Sequence, residues 1–83
     1  MEYIEIQTWD KEYLGKIIYK DGEILAEGIS ETYQRGFEED IRLWTENGKR
    51  RGLKTNREIF HKIPVMTSNW SRIFFSNVKK EEE

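Results

Sequence analysis

Residues 30–47, SETYQRGFEEDIRLWTEN, decide the expected fold because they predict one amphipathic helix. Large apolar side chains recur in this stretch every three or four residues: Tyr33, Phe37, Ile41 and Trp44. This spacing places them on one stripe of a helix, which must be buried against another element. Gly36 lies on the same stripe, and its missing side chain is expected to let the helix backbone approach a sheet.

Two residues indicate where this helix begins and ends. Ser30 is expected to cap its start, with the hydroxyl accepting a hydrogen bond from an early free N–H group. Gly48 is typical of the left-handed position that follows the end of a helix. The helix is therefore predicted to end at Asn47.

The stretch before the helix predicts a β-hairpin. Two predicted strands, 13–20 and 23–28, flank the pair Asp21-Gly22, which accepts the positive φ angles of a type I′ turn. A two-residue turn sets the register, and in this register opposite charges meet twice: Lys20 faces Glu23, and Lys16 faces Glu27. The face that carries Ile17, Tyr19 and Ile24 is predicted to lie under the helix.

Ile18 and Leu25 face each other on the opposite side of this hairpin. An outward apolar pair ringed by ion pairs is a candidate contact for a homodimer or for another protein. The alternative is an ordinary surface pair, or one covered by the C-terminal strand or the short helix.

The remaining elements complete an α+β prediction. A first strand is expected at 3–9, and a polar loop at 49–54. Thr55 and Glu58 form a capping-box pattern that opens a short helix, which Pro64 is expected to stop. A last strand is predicted at 70–78. The order β-β-β-α-α-β predicts a small antiparallel sheet with one long amphipathic helix on one face and a short second helix.

Length and composition predict a single domain at 1–78, followed by a disordered charged tail at 79–83. The chain of 83 residues has no cysteine, which excludes a disulfide framework and favours a reducing compartment. No apolar run approaches the roughly 20 residues of a membrane helix, and no signal peptide is evident. These features predict a cytoplasmic protein with no membrane contact.

The charges are distributed unevenly along the chain. Residues 1–42 hold eleven acids and five bases, a net charge of −6, whereas residues 43–83 hold nine bases and five acids, a net charge of +4. The second half therefore favours an anionic partner, and the backbone of RNA or DNA is the candidate. The candidate contacts are a basic run with neighbouring cations and one aromatic ring: Lys49, Arg50, Arg51, Lys54, Arg57, Lys62, Trp70 and Arg72. The alternative interpretation of this run is a solvated loop.

Nothing in the sequence assembles a catalytic or metal site. His61 is the only histidine, and its spacing places no partner for acid–base chemistry beside it. Glu38, Glu39 and Asp40 are consecutive on a helix and point in different directions, although Asp40 borders the apolar stripe, where a base from the second half is expected to pair with it. The sequence therefore predicts a non-enzymatic protein with no cofactor and no metal.

Overall fold

The computed structural model describes residues 1–81, which form five strands and two helices in an α+β fold, and this confirms the predicted class. Their bounds are β1 Glu2–Thr8, β2 Tyr13–Lys20, β3 Glu23–Glu27, α1 Glu31–Arg50, α2 Asn56–Met66, β4 Ile73–Phe75 and β5 Lys79–Lys80. The strands make one antiparallel sheet in the order β3-β2-β1-β4, and β5 also pairs with β1. Strand β1 is thus central, and β3 forms one edge of the sheet.

The β2–β3 hairpin has the predicted register. Asp21 and Gly22 adopt φ angles of 52° and 81°. Positive φ angles at both central residues are characteristic of a type I′ turn. The five pairs of the hairpin all have this register, from Lys16 opposite Glu27 to Lys20 opposite Glu23, which confirms the prediction. The Lys16 Nζ atom lies 4.0 Å from Glu27 Oε1, so the charge pairing that pointed to this register is present in the structure.

Both helices pack on the same face of the sheet. The core joins inward strand residues to residues of α1 and α2, and its members with no exposed surface are Ile4, Ile6, Ile17, Ile59, Phe60 and Ile63. Phe37 and Trp44 bring the predicted stripe of α1 into this core. Within residues 1–81, the core cluster contains no residue from the opposite face of β1, β2 and β3, which we call the open face.

Helix α1 ends three residues later than predicted. Gly48 is inside the helix and buried, and Gly52 takes the left-handed position with φ of 90°. The N–H of Gly52 donates to the carbonyl of Lys49, and the N–H of Leu53 donates to the carbonyl of Gly48. These two bonds define a Schellman motif, and Leu53 packs against the core, a hydrophobic contact that often accompanies such motifs. The helix therefore includes Lys49 and Arg50.

Two other expectations for α1 differ from the structure. Ser30 is the N-cap residue with an extended backbone, but its side chain makes no capping hydrogen bond. A Cβ atom added to Gly36 would meet no atom within 4 Å, so Gly36 does not mediate a close approach to the sheet. That role belongs to Gly48, where an added Cβ would lie 2.6 Å from Cγ1 of Ile59 in α2.

Helix α2 begins as predicted and ends later. The Thr55 hydroxyl accepts a hydrogen bond from the N–H of Glu58, which confirms the cap. Pro64 lies inside the helix, which continues to Met66. The hydroxyl of Thr67 is buried and donates to the carbonyl of Ile63, so the last turn keeps its polar groups satisfied beyond the proline.

The predicted strand 70–78 and tail 79–83 are divided differently. Strand β4 covers three residues, and Lys79–Lys80 form β5 instead of a tail, while residues 82 and 83 lie outside the described residues. Ser76 stands between the two strands: its N–H donates to the carbonyl of Glu5, and its hydroxyl accepts from the N–H of Glu5. The Ser76 hydroxyl thus replaces a backbone carbonyl in the hydrogen bonding to β1. This substitution separates β4 from β5 but keeps the segment between them bound to β1.

Replacing each glycine of α1 by alanine should have opposite effects. Alanine favours a helix by about 1 kcal/mol over glycine. Gly36→Ala should stabilise the protein by up to about this amount, because its Cβ enters open space. Gly48→Ala should destabilise it by about 1–3 kcal/mol, because the methyl group meets the fully buried Ile59. Urea unfolding of the two variants measures both changes, and a Gly48→Ala protein at least as stable as the parent would contradict the packing of α1 on α2.

Candidate functional site

The strongest candidate site is a cluster of cations where α1 gives way to α2. We call Lys49, Arg50, Arg51 and Lys54 the basic turn. Lys49 and Arg50 occupy the last turn of α1, and Arg51 is its C-cap residue. Just beyond, the side chain of Asn56 donates to the carbonyl of Gly22, which places the basic turn beside the tip of the β2–β3 hairpin.

The four cations of the basic turn are exposed, and none forms an ion pair within residues 1–81. Cations elsewhere are often neutralised: Arg42 contacts Glu39 and Glu46, and Lys79 contacts Glu5 at 2.7 Å. Four uncompensated charges within six residues repel one another and attract an anion. The basic turn is therefore a concentrated positive surface.

Arg57 does not contribute a free charge to this surface. Its Nε atom donates to Oε1 of Glu2 at 3.0 Å. The N-terminus of α2 is also occupied, since Thr55 accepts from the N–H of Glu58 and the Glu58 carboxylate accepts from the N–H of Lys54. An anion at the basic turn would therefore meet side-chain cations, and the Glu58 carboxylate would repel it from the start of α2.

Two further predicted contacts, Trp70 and Arg72, lie apart from the basic turn. Trp70 is half-buried, with ring centroids 5.9 Å from Trp44 and 5.4 Å from Phe75, so it is part of the core and not an exposed stacking platform. The carbonyl of Arg72 accepts from the N–H of Trp9, just beyond the far end of β1. The seven-residue β1 separates Arg72 from the Glu2 end by about 20 Å.

Lys62 is exposed on α2 and forms no ion pair within the part of the chain that the structure describes. It lies about 140° around the helix from Arg57 at 100° per residue. Lys62 can therefore extend a positive surface only on a different side of α2 from Arg57.

Glu2 joins the first strand to α2 in a contact that the sequence did not reveal. Its side chain is 13% exposed, Oε1 accepts from Arg57, and the buried Oε2 lies 2.5 Å from Nε2 of His61. Burial, the largest single effect, raises the pKa of Glu2, but the hydrogen bond from Arg57 and the contacts with Arg57 and His61 together hold this pKa below its ordinary value. Glu2 and Arg57 are 55 positions apart, so no local pattern could have paired them.

The open face of the sheet carries an apolar row across three strands. Leu25 on β3 faces Ile18 on β2, and Ile18 faces Tyr3 on β1. Ile18 is only 3% exposed and lies outside the core cluster, whereas Leu25 is 42% exposed. The accessible part of the predicted interface is therefore Leu25, and the alternation along β1 adds Tyr3 to it.

Comparisons of the chain with protein-family models, with curated proteins and with solved structures find no match. No helix within residues 1–81 is long and apolar enough to cross a membrane. Within the same residues, no group of three or more His, Asp or Glu side chains is placed to hold a metal ion. The chain is a small α+β domain, and its functional interpretation rests on its own surfaces.

The Glu2 contact makes a prediction about stability and pH. The pKa of Glu2 is lowered in the folded state, so ionised Glu2 stabilises the fold. This contribution to the free energy of unfolding is complete at pH values above the ordinary pKa of 4.5 and is lost as the pH falls below that value. Glu2→Gln should lower the free energy of unfolding by about 1–3 kcal/mol at pH 7, and the difference should shrink below about pH 4. Urea unfolding of the parent and of Glu2→Gln from pH 3 to pH 7 measures this difference in the free energy of unfolding.

Glu5→Gln is the matched control on the same strand. Glu5 pairs with Lys79 near the surface, where an ion pair contributes about 0–1 kcal/mol. Equal losses in the two variants, or a Glu2→Gln loss that does not change with pH, would contradict the role given to Glu2.

Proposed function

We propose that the protein is a non-enzymatic binding module whose basic turn engages the phosphate backbone of RNA or DNA. The observation that carries the proposal is the set of four exposed cations within six residues, none of which is paired within residues 1–81. Arginine and lysine side chains bind phosphate oxygens through charge-assisted hydrogen bonds. Phosphate contacts position a protein on a nucleic acid but carry no sequence information, so binding is weakly selective.

The arrangement of charge limits how much of the protein surface can bind a polyanion. The acidic first half of the chain supplies Glu31, Glu38 and Glu39 to the earlier turns of α1, and Arg72 is about 20 Å from the end of β1 that lies near the basic turn. A polyanion is therefore held at one end of the domain. Four phosphate contacts predict a slope near −3.6 in a plot of log affinity against log salt concentration for duplex DNA.

Reversing two charges of the basic turn tests the proposal. The parent protein should lose about 100-fold in affinity for a labelled duplex between 50 and 200 mM salt, because bound cations are released from the phosphates. Arg50→Glu/Arg51→Glu should bind at least about tenfold more weakly at the lower salt concentration and show a shallower slope. Fluorescence anisotropy with a duplex DNA and a single-stranded RNA measures both quantities.

Arg35→Glu/Arg72→Glu is the matched control, since it makes the same charge change at two exposed arginines away from the basic turn. It should retain most of the affinity. The proposal fails if the parent protein is not retained on either nucleic acid at low salt. It also fails if the two double variants lose affinity equally, because this would indicate an effect of net charge alone.

The open sheet face supports a second candidate function, a protein-interaction module that forms a homodimer. Leu25 and Tyr3 flank the covered Ile18, and the ion pairs Lys16–Glu27 and Lys79–Glu5 border this row. A twofold axis through the row would bring two copies of the same patch together. The dimer would bury the exposed part of Leu25 between two sheets packed face to face.

Leu25→Asp tests this candidate against Leu43→Asp, because both leucines are 42% exposed and Leu43 lies on α1. Loss of the apolar contact should cost about 1 kcal/mol per protomer, which weakens the dimer by about tenfold or more. Sedimentation equilibrium should show a dimer for the parent and for Leu43→Asp, and a monomer for Leu25→Asp. A parent protein that is monomeric at about 100 μM, well above the Kd of a stable dimer, would refute it.

A further inference from the structure

Gly36 is a glycine that the packing of the protein does not require. It lies in the middle of α1, where glycine destabilises a helix relative to alanine. Its φ angle is not positive, and a Cβ atom there would meet no atom within 4 Å. In the same helix, Gly48 is required because Ile59 occupies the space of a side chain. The open space above Gly36 therefore needs a different explanation.

This open space is part of a groove that we call the Gly36 groove. It has a volume of about 150 Å³ and lies between α1 and β4, and its lining residues are Thr32, Tyr33, Gly36, Phe37, Asp40 and Ile73. Residues 32, 36 and 40 follow one another at intervals of four, so they line one side of the helix. The rings of Tyr33 and Phe37 have centroids 6.5 Å apart and form an apolar wall.

Asp40 gives the groove its charge. Its side chain is half-buried and has neither an ion pair nor a hydrogen bond within residues 1–81, although a base from the second half was expected there. Burial first, and the charge of Glu39 second, raise the pKa of Asp40 above its ordinary value. Its neighbour Glu39 differs, because it is bonded to Arg42. Among the residues that the structure describes, Asp40 is thus a partly desolvated carboxylate that no cation contacts.

We propose that the Gly36 groove receives a lysine or arginine side chain of a partner protein. The aliphatic stem of such a side chain would lie across Gly36 and against Phe37, where the missing Cβ leaves room for it. The cationic end would reach Asp40 and compensate its charge. The Tyr33 ring, which is 41% exposed, borders the same path and attracts a cation through its π face.

The size of the groove favours a side chain over a free ligand. Pockets for small molecules occupy about 300–1,000 Å³, and the Gly36 groove has about half of the lower limit. A second depression shares Tyr33 and Ile73 with it and extends to Trp9 and Arg72. Together they offer a continuous contact region in which one basic side chain acts as the anchor.

The neighbouring turn presents an exposed aromatic side chain beside the groove. Trp9 is 68% exposed, although its turn is tightly bonded: the N–H of Thr8 donates to the carbonyl of Glu12, and the N–H of Lys11 donates to the carbonyl of Thr8. A rigid turn loses little entropy on binding, and tryptophan is common among the residues that dominate protein interfaces. The charge of Asp40 specifies that the partner brings a cation.

The probe for the test is the pentapeptide acetyl-Gly-Leu-Arg-Leu-Gly-amide, and its isosteric control carries citrulline, which lacks the charge. In a ¹H–¹⁵N NMR titration, the arginine peptide should cause saturable shifts of the Thr32, Gly36 and Asp40 amides with a dissociation constant near 1 mM, as expected for a single anchored side chain. The citrulline peptide should bind at least about tenfold more weakly, because it cannot compensate Asp40.

Three variants separate the groove from the fold. Asp40→Asn removes the carboxylate and should lose at least about tenfold in affinity for the arginine peptide. Gly36→Ala should bind more weakly although it unfolds at higher urea concentration, and a merely structural effect cannot produce this combination. Glu38→Gln removes one charge from the same helix outside the groove and should bind as the parent does.

The proposal is overturned if the arginine peptide causes no saturable shift at about 10 mM, ten times the expected dissociation constant. It is also overturned if the shifts map away from the Gly36 groove, or if Asp40→Asn and Glu38→Gln lose affinity equally. Equal binding of the arginine and citrulline peptides would assign the groove to apolar contact alone and would refute the role of Asp40.

Discussion

The close approach of α1 and α2 at Gly48 and Ile59 is the constraint on which the rest of the structure depends. Two helices share one face of the sheet, and they meet at a position where one of them carries no side chain. Gly48 supplies that position at the end of α1. The chain must then reverse within a few residues to start α2, and the Schellman motif at Gly52 accomplishes the reversal. The basic turn lies on the outer side of this reversal. The same chain reversal therefore packs α2 against α1 and exposes the cations of the basic turn.

Local sequence signals identified the elements whose partners are near in the chain. The β2–β3 register followed from the Asp21-Gly22 turn and from two charge pairs, and the start of α2 followed from Thr55 and Glu58. Signals that depend on distant partners were misleading. In the sequence, Gly48 looks like a residue that ends a helix, because its contact with Ile59 is not visible there. Likewise, no sequence pattern indicates that the Ser76 hydroxyl accepts a hydrogen bond from the N–H of Glu5 in place of a backbone carbonyl.

The candidate site shows the same limit. The four cations of the basic turn are close together in sequence, so their proximity was predictable, but their lack of ion pairs within residues 1–81 was not. Arg57 belongs to the same run and is nevertheless paired with Glu2, and Trp70 faces the core and not solvent. The close approach predicted at Gly36 occurs at Gly48, and the left-handed position predicted at Gly48 is at Gly52. Distinguishing a glycine required by packing from one that leaves open space needs the positions of residues on other elements.

The basic turn and the Gly36 groove lie at opposite ends of the domain and carry opposite charges. The basic turn is beside the hairpin tip near the start of β1, whereas the Gly36 groove adjoins the depression that reaches Trp9 beyond its end. The length of β1 separates these ends by about 20 Å, while charges on the surface are screened over about 8 Å at physiological salt. A phosphate bound at one end therefore changes the potential at Asp40 very little. Any coupling between the two contacts would have to pass through the packing of α1, which spans both ends, and not through the solvent.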